Sequence, residues 1–217
     1  MKNSLLRHFE EIPYFTIEGF RQVSGMDAPE RTRTLLYRWA KAGHVIPLKK
    51  GVYMTKRFYE QHGGDPLFSA AVSAILMPQS YLSLEYVLQQ NNILTEITHP
   101  ITCVTTKNTR RIENSIGFFW YRNIKRELYK GFSFREYFGM RFAIASVAKA
   151  LFDYLYLRPL PPVFRKPNID LAGELRLNLD DLPSETRMEF SNYVEESASR
   201  KMRDVLENLE VNTWQHL

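Results

Sequence analysis

Residues 27–55 read DAPERTRTLLYRWAKAGHVIPLKKGVYMT, and this stretch decides the fold. Asp27, an early proline and Glu30 form a pattern that predicts the start of a helix. Gly43 predicts its end, near Ala42. The apolar, partly β-branched runs on either side of Lys49-Lys50-Gly51 predict two strands joined by a tight basic turn.

Two shorter amphipathic helices are predicted before this stretch. The first covers about residues 4–12, and the second begins after Thr16 as its N-cap. Their predicted buried positions are Leu5, Leu6, Phe9 and Ile12 in the first, and Ile17, Phe20 and Val23 in the second. Three helices followed by a hairpin with a basic tip are the plan of a winged helix-turn-helix, a DNA-binding architecture.

The third helix has two different faces at 100° per residue. Leu35, Leu36 and Trp39 fall on the packing side, with Thr32 and Ala42 nearby. The opposite arc contains the residues expected to meet DNA: Arg31, Thr34, Tyr37, Arg38 and Lys41. Arginine can bind guanine O6 and N7, and Thr and Tyr can reach base edges or phosphates. The alternative is an ordinary amphipathic helix with a solvated basic face.

The hairpin tip extends this candidate interface. Lys49 and Lys50 are expected to neutralise backbone phosphates, and Gly51 supplies the tight turn.

The remaining chain predicts a second domain. Gln61 to Pro66 is a Gly-rich hinge, with Asp65 as the cap of the next helix. The predicted elements are helices at about 66–76 and 83–90, strands at 101–106, 116–121 and 141–145, and a helix from Ser146 to Leu157. A proline-rich connection then leads to an acidic helical tail from about residue 168. The expected fold is therefore α+β: a winged helix-turn-helix over 1–62, then a mixed α/β domain over 65–217.

Charge is unevenly distributed along the 217 residues, although 29 Lys+Arg and 24 Asp+Glu give only +5 overall. Residues 1–62 carry net +5 and residues 101–166 net +9, whereas 63–100 carry −3 and 167–217 carry −6. Two basic blocks favour a polyanionic partner, although chance patchiness can produce the same profile.

The second basic block is a candidate second contact surface. Its cations are Lys107, Arg110, Arg111, Arg122, Lys125, Arg126 and Lys130. Aromatic residues from Phe118 to Tyr121, and Tyr129, are interleaved with them. Such aromatics can stack on bases, or they can form the buried face of a strand whose cations are exposed opposite.

Signatures of catalysis and of cofactor binding are missing. The sequence contains no Gly-x-Gly-x-x-Gly and no Walker motif, and its five histidines lack metal-ligand spacing. Cys103, the single cysteine, lies mid-strand as an expected core thiol. We therefore expect neither an enzyme, nor a cofactor, nor a metal site. Within the longest uncharged stretch, Pro66 to Leu84, only Leu67 to Met77 is strongly apolar, which is too short to span a bilayer. No signal peptide pattern is present, so we expect a cytoplasmic protein without membrane contact.

Three stretches of the sequence resemble the AbiEi antitoxins of type IV toxin–antitoxin systems. They are the wing LKKGVY at 48–53, QSYLSLEYVL at 79–88 and AIASVAKALFDYL at 143–155. The second is similar to the family's helix start, and the third to its Ala-x-x-x-Lys-Ala-Leu-x-Asp segment. Together these matches span about residues 15–157, and the acidic tail has no counterpart.

The resemblance implies a regulator that represses its own promoter at inverted repeats in double-stranded DNA. It also implies a second domain that counteracts a nucleotidyltransferase toxin without needing a tight complex, in abortive infection. By position, it implies that Lys49, Lys50, Gly51 and Tyr53 are wing residues. It marks Lys149 and Asp153 as signature residues of the second domain, and we include them in the candidate second surface. An i,i+4 surface ion pair is the other interpretation of these two. A divergent nuclease and a protein-interaction module remain alternative functions.

Overall fold

The computed structural model describes residues 2–95, 100–166 and 168–214, and over these the chain is α+β with ten α-helices and two β-sheets. The helices are α1 (Lys2–Arg7), α2 (Ile17–Ser24), α3 (Pro29–Lys41), α4 (Lys56–His62), α5 (Pro66–Leu76), α6 (Glu85–Gln90), α7 (Val147–Leu157), α8 (Leu171–Glu174), α9 (Ser184–Ser197) and α10 (Arg200–Asn212). The strands are β1 (Phe15–Thr16), β2 (Val45–Lys49), β3 (Val52–Thr55), β4 (Ser80–Leu82), β5 (Ile101–Thr105), β6 (Arg110–Asn114), β7 (Gly117–Asn123), β8 (Phe132–Tyr137) and β9 (Met140–Ala145). The predicted α+β class is confirmed.

Contacts divide the chain into two compact units. The first is Met1–Pro78 with Ile112–Phe118 and Glu136–Phe142, and the second is Gln79–Arg111, Phe119–Arg135 and Ala143–Leu217. This division differs from the expected limits of 1–62 and 65–217, because α5 belongs to the first unit. The fully buried Phe68 of α5 lies 6.4 Å, centroid to centroid, from the ring of Phe58 on α4. Aromatic packing therefore continues across the predicted hinge.

Short-range signals set the helices at the start of the first unit. Thr16 is the N-cap of α2, as predicted, and its Oγ1 accepts a hydrogen bond of 3.0 Å from the Gly19 amide. Helix α2 ends at Gly25, which has φ +66°. The N-cap of α3 is Ala28, which supplies no side-chain hydrogen bond, so the expected cap, Asp27, is wrong by one position.

The small sheet has the order β1-β3-β2 and is antiparallel throughout. Phe15 pairs with Tyr53, and Val45 pairs with Thr55. The predicted strand, turn and strand are confirmed in β2 and β3. Strand β1 has only two residues, which is too short for an alternating sequence pattern to reveal.

A cluster of aromatic side chains forms the core beneath α2, α3 and this sheet. The ring centre of Phe20 lies 5.5 Å from that of Phe9. It also lies 5.5 Å from the ring centre of Trp39, and these two rings pack edge to face. Other buried members are Leu6, Phe15, Leu36 and Val45. Two predicted core residues are wrong. Ile12 is 40% exposed because α1 ends at Arg7, and Val23 is 50% exposed in the last turn of α2.

The larger sheet has the order β6-β7-β5-β4-β9-β8. Strand β4 is antiparallel to β5 and parallel to β9, and β5 is parallel to β7. Cys103 and Val104 of β5 are fully buried, which confirms the cysteine as a core residue. Strands β4, β6 and β8 were not predicted.

Helix α7 is the central helix of the second unit. Ser146 is its predicted N-cap, and the Ser146 Oγ accepts a hydrogen bond of 3.1 Å from the Lys149 amide. The helix packs against α6, α9 and α10, so its residues from Ala148 to Leu155 are buried on all sides. The helical tail is part of this core, because Phe190, Val205 and Leu209 are almost completely buried.

Candidate nucleic-acid interface

The outer face of α3 is polar, cationic and exposed. All five residues predicted for it are exposed: Arg31, Thr34, Tyr37, Arg38 and Lys41. The opposite side carries Thr32, Leu36 and Trp39, all buried. Tyr37 is 62% exposed, which is high for an aromatic side chain. The helical periodicity therefore separated the cationic face from Thr32, Leu36 and Trp39. It was less accurate for Leu35, which is half-buried, and for Ala42, which was placed near the packing side and is exposed.

The charges on this face are available to a ligand. Among the residues that the structure describes, no Asp or Glu forms an ion pair with Arg31, Arg38 or Lys41. The Lys41 Nζ lies 5.7 Å from the centre of the Tyr37 ring, which holds the two side chains together. Thr34 donates its hydroxyl proton to the Glu30 carbonyl at 2.9 Å, so its Oγ1 can still accept.

Arg21 orders the turn between α2 and α3, and sequence analysis missed it. Its Nη2 donates to the Asp27 carbonyl at 2.8 Å, and its Nε donates to the Met26 carbonyl at 3.3 Å. These bonds fix the segment that leads into α3, although they do not replace a cap, because the first amides of a helix need acceptors and arginine only donates. Side-chain bonds to carbonyls five and six residues ahead follow no periodic pattern, so no sequence signal indicated them.

The hairpin turn presents one lysine rather than two. Lys50 is exposed, and Gly51 has φ +77°, a conformation that favours glycine. The Lys49 Nζ instead donates to the carbonyls of Ile75, at 2.6 Å, and Leu76, at 3.2 Å. Lys49 therefore caps the C-terminus of α5, and its expected role as a phosphate contact at the tip is corrected to an anchoring one.

Tyr53 lies on β3 of the hairpin, two residues after Gly51, where the resemblance implies a wing residue. Its ring stacks on Phe15 with the ring centres 5.8 Å apart, and it packs against the core cluster while half-buried. Tyr53 therefore joins the hairpin to the core, and its contact with DNA stays a prediction.

The second basic block falls into separate parts in the second unit. Arg111 and Arg122 lie 4.7 and 4.8 Å from the centre of the Trp120 ring. Arg122 also donates to the Leu157 carbonyl at 2.8 Å. Lys130 forms an ion pair of 2.6 Å with Glu196. The other predicted cations, Lys107, Arg110, Lys125 and Arg126, are exposed.

The strand interpretation of the aromatics is confirmed for part of the set, whereas stacking on bases stays a prediction. Phe119 and Tyr121 form the buried face of β7, as the strand interpretation requires. Trp120 faces the other way and is held between two arginines. The structure therefore brings together Arg111, Trp120 and Arg122 as one cationic–aromatic cluster.

Lys149 and Asp153 are not part of any surface. Both are fully buried on α7, where they form an i,i+4 ion pair. The pair was expected at the surface, and burial is the correction. The Lys149 ammonium lies 5.0–5.6 Å from the ring centres of Tyr81, Phe152 and Tyr193.

Two hydroxyls complete the shell around the carboxylate of Asp153. Its Oδ2 accepts from the Ser83 hydroxyl at 2.7 Å and from the Tyr81 hydroxyl at 2.9 Å. Burial raises the pKa of Asp153 and lowers the pKa of Lys149, while their mutual attraction opposes both shifts. Burial, with the nearby Asp153 charge, also raises the pKa of Tyr81. Two segments that carry the family resemblance, 79–88 and 143–155, thus meet at this carboxylate.

The backbone next to Ser83 is strained. Leu84 has φ +60° and ψ −140°, a conformation that costs a non-glycine residue about 1–3 kcal/mol. Thr102 holds this turn: its Oγ1 donates to the Ser83 carbonyl at 2.8 Å and accepts from the Tyr86 amide at 3.0 Å. Hydrogen bonds from the neighbouring strand β5 thus hold Leu84 in this strained conformation.

No protein-family model matches the sequence, and a search of curated proteins gives no match. Among the described residues, no group of three or more His, Cys, Asp or Glu could hold a metal ion. In the same part of the chain, no helix is long and apolar enough to cross a membrane.

Proposed function

We propose that the chain is a DNA-binding transcriptional regulator whose first unit is a winged helix-turn-helix. The observation that carries the proposal is the exposed arc of α3, with Arg31, Tyr37, Arg38 and Lys41 on the side opposite the buried Trp39. A helix of this kind fits the major groove of B-DNA, where arginine can donate two hydrogen bonds to guanine.

The surrounding elements support the same function. Helix α2 precedes α3 through a short turn that Arg21 orders, and the β2–β3 hairpin follows directly. Lys50 at the turn is placed to neutralise a phosphate, whereas Lys49 anchors the hairpin to α5. We assign base reading to Arg31 and Arg38, and backbone contacts to Lys41 and Lys50.

The biological role follows from the resemblance to the AbiEi antitoxins. On that basis, the regulator binds inverted repeats in its own promoter, and the second unit opposes a nucleotidyltransferase toxin. The Arg111–Trp120–Arg122 cluster is the candidate surface for that second activity, because Lys149 and Asp153 are inaccessible.

The test compares specific with random DNA by fluorescence anisotropy. Full-length protein is titrated into a labelled duplex from its own upstream region, and into a scrambled duplex of equal length. Arg38→Ala is expected to weaken binding to the specific duplex by about 1–3 kcal/mol, with little effect on the scrambled one. Arg203→Ala, on the exposed side of α10, removes an equal charge and is the control.

Two outcomes would contradict the proposal. Equal affinity for both duplexes by the unaltered protein would exclude specific reading and favour the protein-interaction alternative. Equal losses from Arg38→Ala and Arg203→Ala would show that α3 does not enter the groove. Cleavage of either duplex in the presence of Mg²⁺ would instead support the nuclease alternative.

A further inference from the structure

A cavity of about 430 Å³ lies beside the turn end of the hairpin in the first unit. Its volume falls within the range of small-molecule sites. The walls come from β1, β2, β3, the end of α5, the turn before β9 and the start of β9. Every residue that lines it belongs to the first unit.

The polar groups of the cavity are those that bind an anion. Two cationic side chains, Lys49 and Arg141, line it, and none of its described lining residues is Asp or Glu. Tyr14 and Thr16 add hydroxyls. The Thr16 Oγ1 accepts from the Gly19 amide, so its hydroxyl proton can still be donated to a ligand.

The remaining wall is apolar. Val52, Ile75 and Met140 line the cavity beside the two cations. An inorganic ion would leave this apolar surface uncovered, whereas an organic acid would bury it. The chemistry of the walls therefore favours a charged head group attached to an apolar body.

The environment of the Lys49 ammonium favours binding of an anionic ligand. This ammonium is half-buried, and within the described part of the chain it bonds to the Ile75 and Leu76 carbonyls, which carry only partial charges. Burial lowers the pKa of Lys49, so a full negative charge nearby would stabilise the protonated form.

We propose that this cavity binds a small organic anion, a carboxylate or a phosphate monoester with an apolar body, between Lys49 and Arg141. Lys49 immediately precedes Lys50 and Gly51 at the hairpin turn. A ligand that draws the Lys49 ammonium from the α5 carbonyls would alter how the hairpin is anchored. The cavity thus fits an effector site. The effect of the ligand on DNA binding rests on the proposed function, whereas binding of the ligand itself does not.

Isothermal titration calorimetry of the full-length protein tests the site. The probes are benzoate and phenyl phosphate, which distinguish the two head groups, and benzamide, which is a neutral analogue. We expect at least one anion to bind and benzamide not to bind. Arg141→Gln should weaken the anion about tenfold or more, as expected for a lost charge-assisted hydrogen bond, whereas the control Arg203→Gln should not.

Each result has a definite meaning. Failure of both anions to bind at millimolar concentration overturns the proposal, as does equal affinity in Arg141→Gln and Arg203→Gln. Binding of benzamide as tightly as benzoate would reduce the site to an apolar cavity. If an anion binds but the affinity for DNA does not change, the ligand site is supported and its role as an effector site is refuted. If an anion binds and the protein does not bind DNA, only the proposed function is contradicted.

Discussion

Replacement of Lys149 by methionine should destabilise the second unit severely. The substitution keeps the length of the side chain but removes the cation that pairs with the fully buried Asp153. Breaking a buried ion pair from one side costs about 3–5 kcal/mol, because the remaining charge is left uncompensated. With a urea m-value of about 3 kcal/mol/M, the unfolding midpoint should fall by about 1–2 M.

A double variant separates the pair from ordinary packing. Lys149→Met with Asp153→Asn removes both charges and keeps a carbonyl oxygen that can accept from Tyr81 and Ser83. It should unfold at higher urea than Lys149→Met alone, although it carries one more substitution. The exposed pair offers a control, since Lys130→Met, which loses the contact with Glu196, should cost less than about 1 kcal/mol. If the double variant loses as much free energy of unfolding as the two single variants together, the reasoning is refuted.

Three other substitutions test separate contacts. Lys50→Ala should reduce the slope of log K against log salt for DNA binding by about 0.9, whereas Lys49→Met should leave the slope unchanged. Lys49→Met should instead lower the free energy of unfolding by about 1 kcal/mol, because the α5 carbonyls lose their donor; a changed slope with unchanged stability would reverse these assignments. Gly131→Ala should unfold the second unit at lower urea, since Gly131 has φ +77° and an added Cβ would meet the Tyr193 hydroxyl at 2.2 Å. Gly64→Ala, with nothing within 4 Å, is its matched control, and equal urea midpoints would contradict this clash.

Much of the first unit was predictable because its signals are local. The Thr16 cap, the glycines after α2 and α3, and the turn at Gly51 each act within a few residues. Helical periodicity also separated the exposed from the buried side of α3. Such features depend on residues that are already close together in the sequence.

Misassigned site residues share one physical cause, namely partners that are distant in the chain. Lys49 bonds to carbonyls 26 and 27 residues away, so its basic neighbourhood in the sequence was misleading. In Asp153, the i,i+4 spacing to Lys149 correctly indicated an ion pair, but it contains no information on burial.

Tyr81 and Ser83 explain why a polar centre lies inside the second unit. They are two residues apart, so both side chains leave the end of β4 on the same side and reach one carboxylate on α7. A slip of β4 by one residue would present Leu82 to Asp153 and leave a buried charge without hydrogen bonds, at a cost of several kcal/mol. The centre therefore selects the strand register and the orientation of α7. Lys149 and Asp153 therefore serve the folding of the unit, and Arg111 and Arg122 remain the accessible candidates for the second activity proposed above.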